Sequence, residues 1–170
     1  MSKYTDLLKS KMSDTSYAKL DALKNEKVME FVGSFAEHCN PATIYVCDDS
    51  AEDVAYIKNV ALKNGEEYQM ALSEQTIHWD GYGDQARDKV NTRYMVYPEN
   101  MEKMKAMNSL PYDEAHKEIM DIAKNNMAGK EAYVKFFTEG PADSPFTIPC
   151  VQFTDSSYNT LRNYPLQSWL

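Results

Sequence analysis

Arginine is scarce in this chain. Of its 18 basic residues only Arg87, Arg93 and Arg162 are arginines, and acids outnumber bases to a formal charge of −8 and a pI near 4.9. That balance excludes the clustered basic footprint of a nucleic-acid binder and disfavours attraction to an anionic membrane; its ordinary meaning is solubility. Cysteine is scarce too. Cys39, Cys47 and Cys150 are odd in number and have no close pairing, which excludes a disulfide framework and fits a reducing compartment. No apolar run approaches the roughly 20 residues of a membrane span. Residues Met1 to Asp14 mix charges throughout and lack the apolar centre of a signal peptide. The expected location is cytoplasmic.

Several chemistries are missing as well. No glycine-rich phosphate loop of the form G-x-x-x-x-G-K plus a hydroxyl residue occurs; Gly129-Lys130 lacks both the upstream glycine and the following hydroxyl. No serine sits in a G-x-S-x-G elbow. His38 and Cys39 are neighbours in one helical stretch, where adjacent side chains point apart, so they make no dyad. His78-Trp79-Asp80, with Cys39 and Cys47, offers potential metal ligands but none of the paired spacings that zinc sites use. No metal site is expected from this chain alone.

What remains is a globular chain. A length of 170 residues, 43% of them hydrophobic, suits one domain able to bury roughly 70% of its unfolded surface. Residues up to about Lys24 read as two short helices forming an arm. Asn25 caps a helix whose apolar residues Val28, Phe31, Val32, Phe35, Ala36 and Cys39 make one stripe, and Pro41 stops it near Asn40. A strand over Thr43 to Cys47 follows. Ser50 with Asp53 then reads as a capping box opening a helix that buries Val54, Ile57 and Ala61 and ends at Gly65. Asp48, Asp49 and Asp53 raise the question of a metal at a strand end, but acids at a helix start are explained by the helix dipole.

Further strands are expected over Tyr68–Leu72, within Val90–Tyr97, and over Tyr133–Thr138 and Ile148–Phe153, the last at an edge or with a bulge because of Pro149. Met101, Met104 and Met107 suggest a helix face, either against a core or as an adaptable contact surface. Asp113 to Ala128 reads as a long helix with His116, Ile119, Met120, Ala123 and Met127 inward, closed by Gly129. Strands alternating with helices make the fold class α/β, a mixed β-sheet flanked by helices.

The most distinctive stretch is Asp80-Gly81-Tyr82-Gly83-Asp84-Gln85-Ala86-Arg87-Asp88-Lys89. It holds two of the six glycines and one of the three arginines. Glycines one residue apart permit backbone conformations closed to other residues. An arginine beyond them presents a planar fork to a carboxylate or phosphate. The plain alternative is a turn whose arginine pairs with Asp84 or Asp88.

This stretch resembles the substrate loop of the GTP-dependent phosphoenolpyruvate carboxykinases. Gly129-Lys130-Glu131-Ala132-Tyr133-Val134, then Gly140-Pro141, Ser144-Pro145-Phe146 and Gln152-Phe153-Thr154-Asp155-Ser156-Ser157-Tyr158, resemble that family in the same order. The resemblance runs from about Asn25 to Tyr158 and covers the amino-terminal part of such an enzyme. It implies a domain over residues 1–158 with a divergent tail over 159–170. It also implies a fragment, a frameshift product or a free-standing domain.

By the same resemblance, Arg87 grips the carboxylate of oxaloacetate or phosphoenolpyruvate, and Gly81 and Gly83 let the loop shift as substrate arrives. The reaction implied is oxaloacetate plus GTP to phosphoenolpyruvate, CO2 and GDP, in gluconeogenesis. A separate carboxy-terminal, kinase-like part carries GTP and Mn2+, neither of them bound by this chain alone, so the isolated chain is expected to be inactive. Two departures stand out: Asp143, where the family usually has glycine, and Lys89, where some members carry an acid. A stand-alone binder of small carboxylic acids and a docking module for a separately encoded kinase-like half are the other readings.

Overall fold

A computed structural model describes residues 3–72, 75–81, 88, 91–141 and 144–161. The chain forms two compact units, Met1–His78 together with Asn125–Leu170, and Trp79–Lys124.

The first unit begins with the arm, α1 (Thr5–Lys11) and α2 (Asp14–Ala22), the latter capped by Ser13, whose hydroxyl accepts from Ser16 N–H. Leu8 and Leu20 bury its inner side. Next comes α3 (Glu26–Cys39), started by Asn25 Oδ1 accepting from the N–H groups of Lys27 and Val28 at 3.1 and 3.3 Å. Its expected stripe is inward, with Met29 added. Gly33 on this helix has no room for a side chain; a Cβ there would lie 2.2 Å from Tyr4 Cγ. The helix stops at Asn40 in the left-handed region, and Lys11 Nζ donates to both Asn40 Oδ1 and the Pro41 carbonyl, tying the arm to that corner.

β1 (Thr43–Val46) leads through a Ser50-capped turn into α4 (Ala51–Asn64). Gly65, with φ of 72°, closes α4 in the left-handed conformation that glycine adopts without steric cost. The hairpin β2 (Tyr68–Gln69) and β3 (Thr76–Ile77) follows, shorter than the strand expected from Tyr68 to Leu72. After the second unit, β6 (Glu131–Glu139) and β7 (Ile148–Thr154) complete a three-stranded sheet in the order β1-β6-β7. Here β1 is parallel and β7 antiparallel to β6. Among the described residues β7 is an edge, as Pro149 requires. The short helix α6 (Ser157–Leu161) lies beyond it.

Ala132 to Lys135 are all buried, so β6 is covered on both faces. Lys135 is 1% exposed and donates to the Thr160 and Asn159 carbonyls of α6 at 2.6 and 3.2 Å. Burial pushes its ammonium down to about 8, since a low-dielectric interior disfavours the charged form. Ile57 of α4, Cys47 and Tyr133 form a core joined by Tyr45, Tyr56, Val60 and Leu161.

The second unit holds β4 (Tyr94–Val96), β5 (Ser109–Pro111), parallel to it, and α5 (Tyr112–Ala123). Three expectations need correction here. The methionine-rich stretch is not an α-helix. It opens as a 3-10 turn at Pro98–Asn100 and continues in turns that include Met101 N–H to the Pro98 carbonyl and Met107 N–H to the Met104 carbonyl. A methionine at every third residue matches the three-residue period of such turns better than 3.6.

Second, β5 occupies the end of that stretch, where no strand is expected. Third, α5 stops at Ala123 because Lys124 is extended and Asn125 left-handed, so Gly129 closes the turn before β6 rather than the helix. His116 and Ile119 are exposed; Ala115 is the buried position, and Met127 is buried beyond the helix. Tyr112 stacks on Tyr97 and His116, with ring centroids 4.7 and 5.6 Å away.

Candidate functional site

Of the loop singled out by the sequence, Asp80, Gly81 and Asp88 are described and exposed; Arg87 and Gly83 lie outside the described residues, as do Lys89 and Asp143. What the described residues give is the base of the loop. β3 delivers the chain to His78, where the first segment of the first unit ends. His78 Nδ1 lies 2.6 Å from the Glu66 carbonyl oxygen. A carbonyl can only accept, so Nδ1 carries the proton. The imidazole also lies flat on the Tyr158 ring, with centroids 3.6 Å apart and planes 12° from parallel.

On the far side of the loop, Asp88 Oδ1 accepts from Asn91 N–H at 2.9 Å and its carbonyl from Thr92 N–H at 3.0 Å. Arg93 pairs with Glu118 at 2.9 Å.

Glu66 is the hub of the base. It directly follows Gly65, and its carboxylate gathers the start of α6. Oε1 accepts from Ser157 Oγ–H at 2.7 Å, and Oε2 from Ser156 Oγ–H at 2.7 Å and Tyr158 N–H at 3.0 Å. Burial pushes this carboxyl up, but the Tyr158 amide and the Ser156, Ser157 and Asn64 side chains outweigh it and hold the group below its ordinary value. The second family-like block, ending at Tyr158, therefore meets Glu66 and His78, all within the first unit. The block at Gly129–Val134 joins it through Lys130, whose Nζ reaches Asp155 at 2.5 Å.

Beside the hub lies a cavity of about 500 Å3 walled by Tyr56, Lys63, Glu66, Glu131, Tyr133 and Asp155, among others. Its groups largely satisfy one another. Tyr56 O–H donates to Glu131 Oε2 at 2.8 Å, and burial with that carboxylate pushes the phenol up to about 12.

The acids after β1 are occupied structurally. Asp53 is 2% exposed and accepts from Tyr45 O–H, Lys19 Nζ and Asp48 N–H, each at 2.7 Å. Its carboxylate therefore does not turn back to Ser50 N–H, which goes to Asp48 Oδ1 instead; only half of the expected capping box forms. Asp49 is exposed. Among the described residues no group of three or more His, Cys, Asp or Glu is arranged to hold a metal ion. Cys39 and Cys47 are buried, and burial pushes the Cys47 thiol up to about 12. Among the described residues no helix is long and apolar enough to cross a membrane.

Glu66, Lys135 and the Asp53 network are not apparent in the sequence, because each depends on a distant partner: Asp53 on Lys19, 34 residues away, Lys135 on Thr160, 25 away, and Glu66 on Tyr158, 92 away.

Comparison with known proteins adds a second line. Residues 30–166 match the family model described as the phosphoenolpyruvate carboxykinase N-terminal domain. The chain is 42% identical over 153 residues to the phosphoenolpyruvate carboxykinase (GTP) of Thermococcus sibiricus, an alignment covering 90% of this chain and 24% of that protein. The protein of the same description from Pyrococcus abyssi is 42% identical over 151 residues, covering 89% and 24%. That from Saccharolobus solfataricus is 35% identical over 153 residues, covering 90% and 25%. The chain thus spans about a quarter of the length of the curated relatives it matches.

Proposed function

Because the chain belongs to the phosphoenolpyruvate carboxykinase N-terminal domain family, we propose that it is the substrate-loop part of a GTP-dependent phosphoenolpyruvate carboxykinase, working in gluconeogenesis in the cytoplasm. The reaction would be conversion of oxaloacetate and GTP to phosphoenolpyruvate, CO2 and GDP, with a carboxy-terminal kinase-like part as partner. The observation that carries the reading is the match over residues 30–166, which takes in both the glycine–arginine stretch and the block ending at Tyr158.

This chain's task would be positioning. Arg87 holds a carboxylate of the three-carbon or four-carbon acid by two parallel N–H···O bonds, fixing the reacting end of the molecule. Gly81 and Gly83 let the backbone around it adjust as substrate arrives. Mn2+ and GTP would be held by the carboxy-terminal part. Alone, the chain is expected to be inactive.

The test on this chain is calorimetry with oxalate, a small dicarboxylate of the right chemistry. Arg87→Lys is expected to weaken binding at least about tenfold, since an ammonium cannot make the fork. Equal affinity in both proteins would count against Arg87 as the grip.

A further inference from the structure

We infer that the outer edge of β7, with the apolar groove beside it, is a docking site for one extended segment from the rest of a longer carboxykinase chain. That segment adds to the sheet as a fourth strand. The inference rests on the function proposed above and deepens it by naming where the partner docks.

The two edges of the sheet differ. The edge at β1 is covered by the arm: Met12 forms a parallel bridge to Ile44, and Val46 N–H donates to Ser16 Oγ at 3.2 Å. Among the described residues no strand pairs with the outer side of β7. Proteins guard exposed edges with charge, proline, bulges or a covering element. β7 reads Ile-Pro-Cys-Val-Gln-Phe-Thr, which carries no charge and has Pro149 as its one guard. None of its residues is buried, whereas Ala132 to Lys135 of β6 all are. Phe146 and Ile148, at its entry, are 87% and 57% exposed.

One face of β7 also has room for incoming side chains. At the far end of the strand Phe153 meets Phe35 of α3, with ring centroids 6.3 Å apart. Nearer its start, a groove of about 350 Å3 opens among Leu23, Val28, Phe136, Pro149 and Val151. A segment laid along β7 would bond to its main chain and turn alternate side chains toward the groove. The groove suits apolar ones. The curated relatives have the chain to supply such a segment, since the alignment takes up only 24% of the Thermococcus sibiricus protein. A second copy suits the edge less well, because each copy has a formal charge of −8 and self-repulsion keeps such chains apart.

The test compares amide hydrogen exchange in the 170-residue chain and in a full-length chimera, with this chain in place of the matching quarter of the Thermococcus sibiricus protein. The β7 amides aimed away from β6 are expected to exchange at least about tenfold more slowly in the chimera. β6, already paired on both sides, is the internal reference and should change less. Ile148→Lys puts a charge on the edge. It should leave the urea midpoint of the 170-residue chain unchanged and remove most of the gain in the chimera. Equal exchange of β7 in both proteins, relative to β6, would overturn the inference. So would protection of β7 that grows with the concentration of the 170-residue chain, which assigns the edge to a second copy.

Should the chimera fail to fold, overlapping synthetic peptides spanning the rest of the Thermococcus sibiricus protein decide. A peptide that slows β7 exchange in the 170-residue chain, and does so less after Ile148→Lys, supports the docking edge; a full set without one overturns it. The two claims fail separately. A folded chimera that protects β7 but makes no phosphoenolpyruvate keeps the edge and sinks the proposed function. An active chimera with β7 unprotected does the reverse.

Discussion

Asp53→Ala is expected to destabilise the first unit by about 3 kcal/mol, read from urea unfolding at neutral pH, because it breaks a buried charge cluster from one side. The carboxylate lost is 2% exposed. Its removal strands the Tyr45 hydroxyl and the Asp48 amide, each costing roughly 1–3 kcal/mol when left without a partner. Lys19 keeps Asp48 at 2.9 Å and is itself about a fifth exposed, so solvent limits the loss below that of a fully enclosed pair. Asp53→Asn should cost less, since one oxygen can still accept from Tyr45 or from the Asp48 amide.

The same cluster gives the protein an acid limit. Burial alone would raise the Asp48 carboxyl, but Ser50 and Lys19 bring it down to about 2. A depressed carboxylate contributes stability that is present above its ordinary value near 4 and lost as pH falls through its folded value. Stability should therefore decline between about pH 4 and pH 2 more steeply in the native chain than in Asp48→Asn.

Ile57→Ala is expected to cost a similar amount, about 3 kcal/mol within the usual range of 2–5 for this truncation. Ile57 is fully buried where α4, β1 and β6 meet through Cys47 and Tyr133, with Tyr45, Tyr56, Val60 and Leu161 around it. The stacked Tyr45 and Tyr56 rings, 4.3 Å apart, are bound by their hydroxyls to Asp53 and Glu131 and so resist collapse into the space. Ile57→Val, which removes one methyl group, should cost only about 0.5–1.5 kcal/mol. Urea midpoints with an unchanged denaturant slope are the readout; similar costs for both variants would mean that this core relaxes more than its hydrogen bonds suggest.

These residues also mark where sequence reasoning succeeds and where it stops. The stripe and cap of α3, the Ser50 cap and Gly65 end of α4, and the edge strand carrying Pro149 are local, and periodicity with capping chemistry makes them readable. Asp53 reads as half of a capping box because its true partners, Lys19 and Tyr45, come from other elements. Lys135 in a strand reads as a surface lysine; only the return of α6 over β6 buries it and supplies two carbonyls. Glu66 follows a helix-ending glycine and has no local signal of its own, since everything its carboxylate holds except Asn64 lies about 90 residues later. The methionines mislead because a spacing of three suits both a helix face and the turns found here. Arg87 stands out in the sequence by the scarcity of arginine, its glycine setting and a family resemblance.

The most direct measurement is a chimera in which this chain replaces the matching quarter of the Thermococcus sibiricus protein, assayed for phosphoenolpyruvate formation from oxaloacetate and GTP. The expected result is an active chimera whose rate falls about 100-fold or more on Arg87→Lys, because a misplaced carboxylate forfeits much of the advantage of orientation. An active chimera that turns over at the same rate before and after Arg87→Lys would contradict the account.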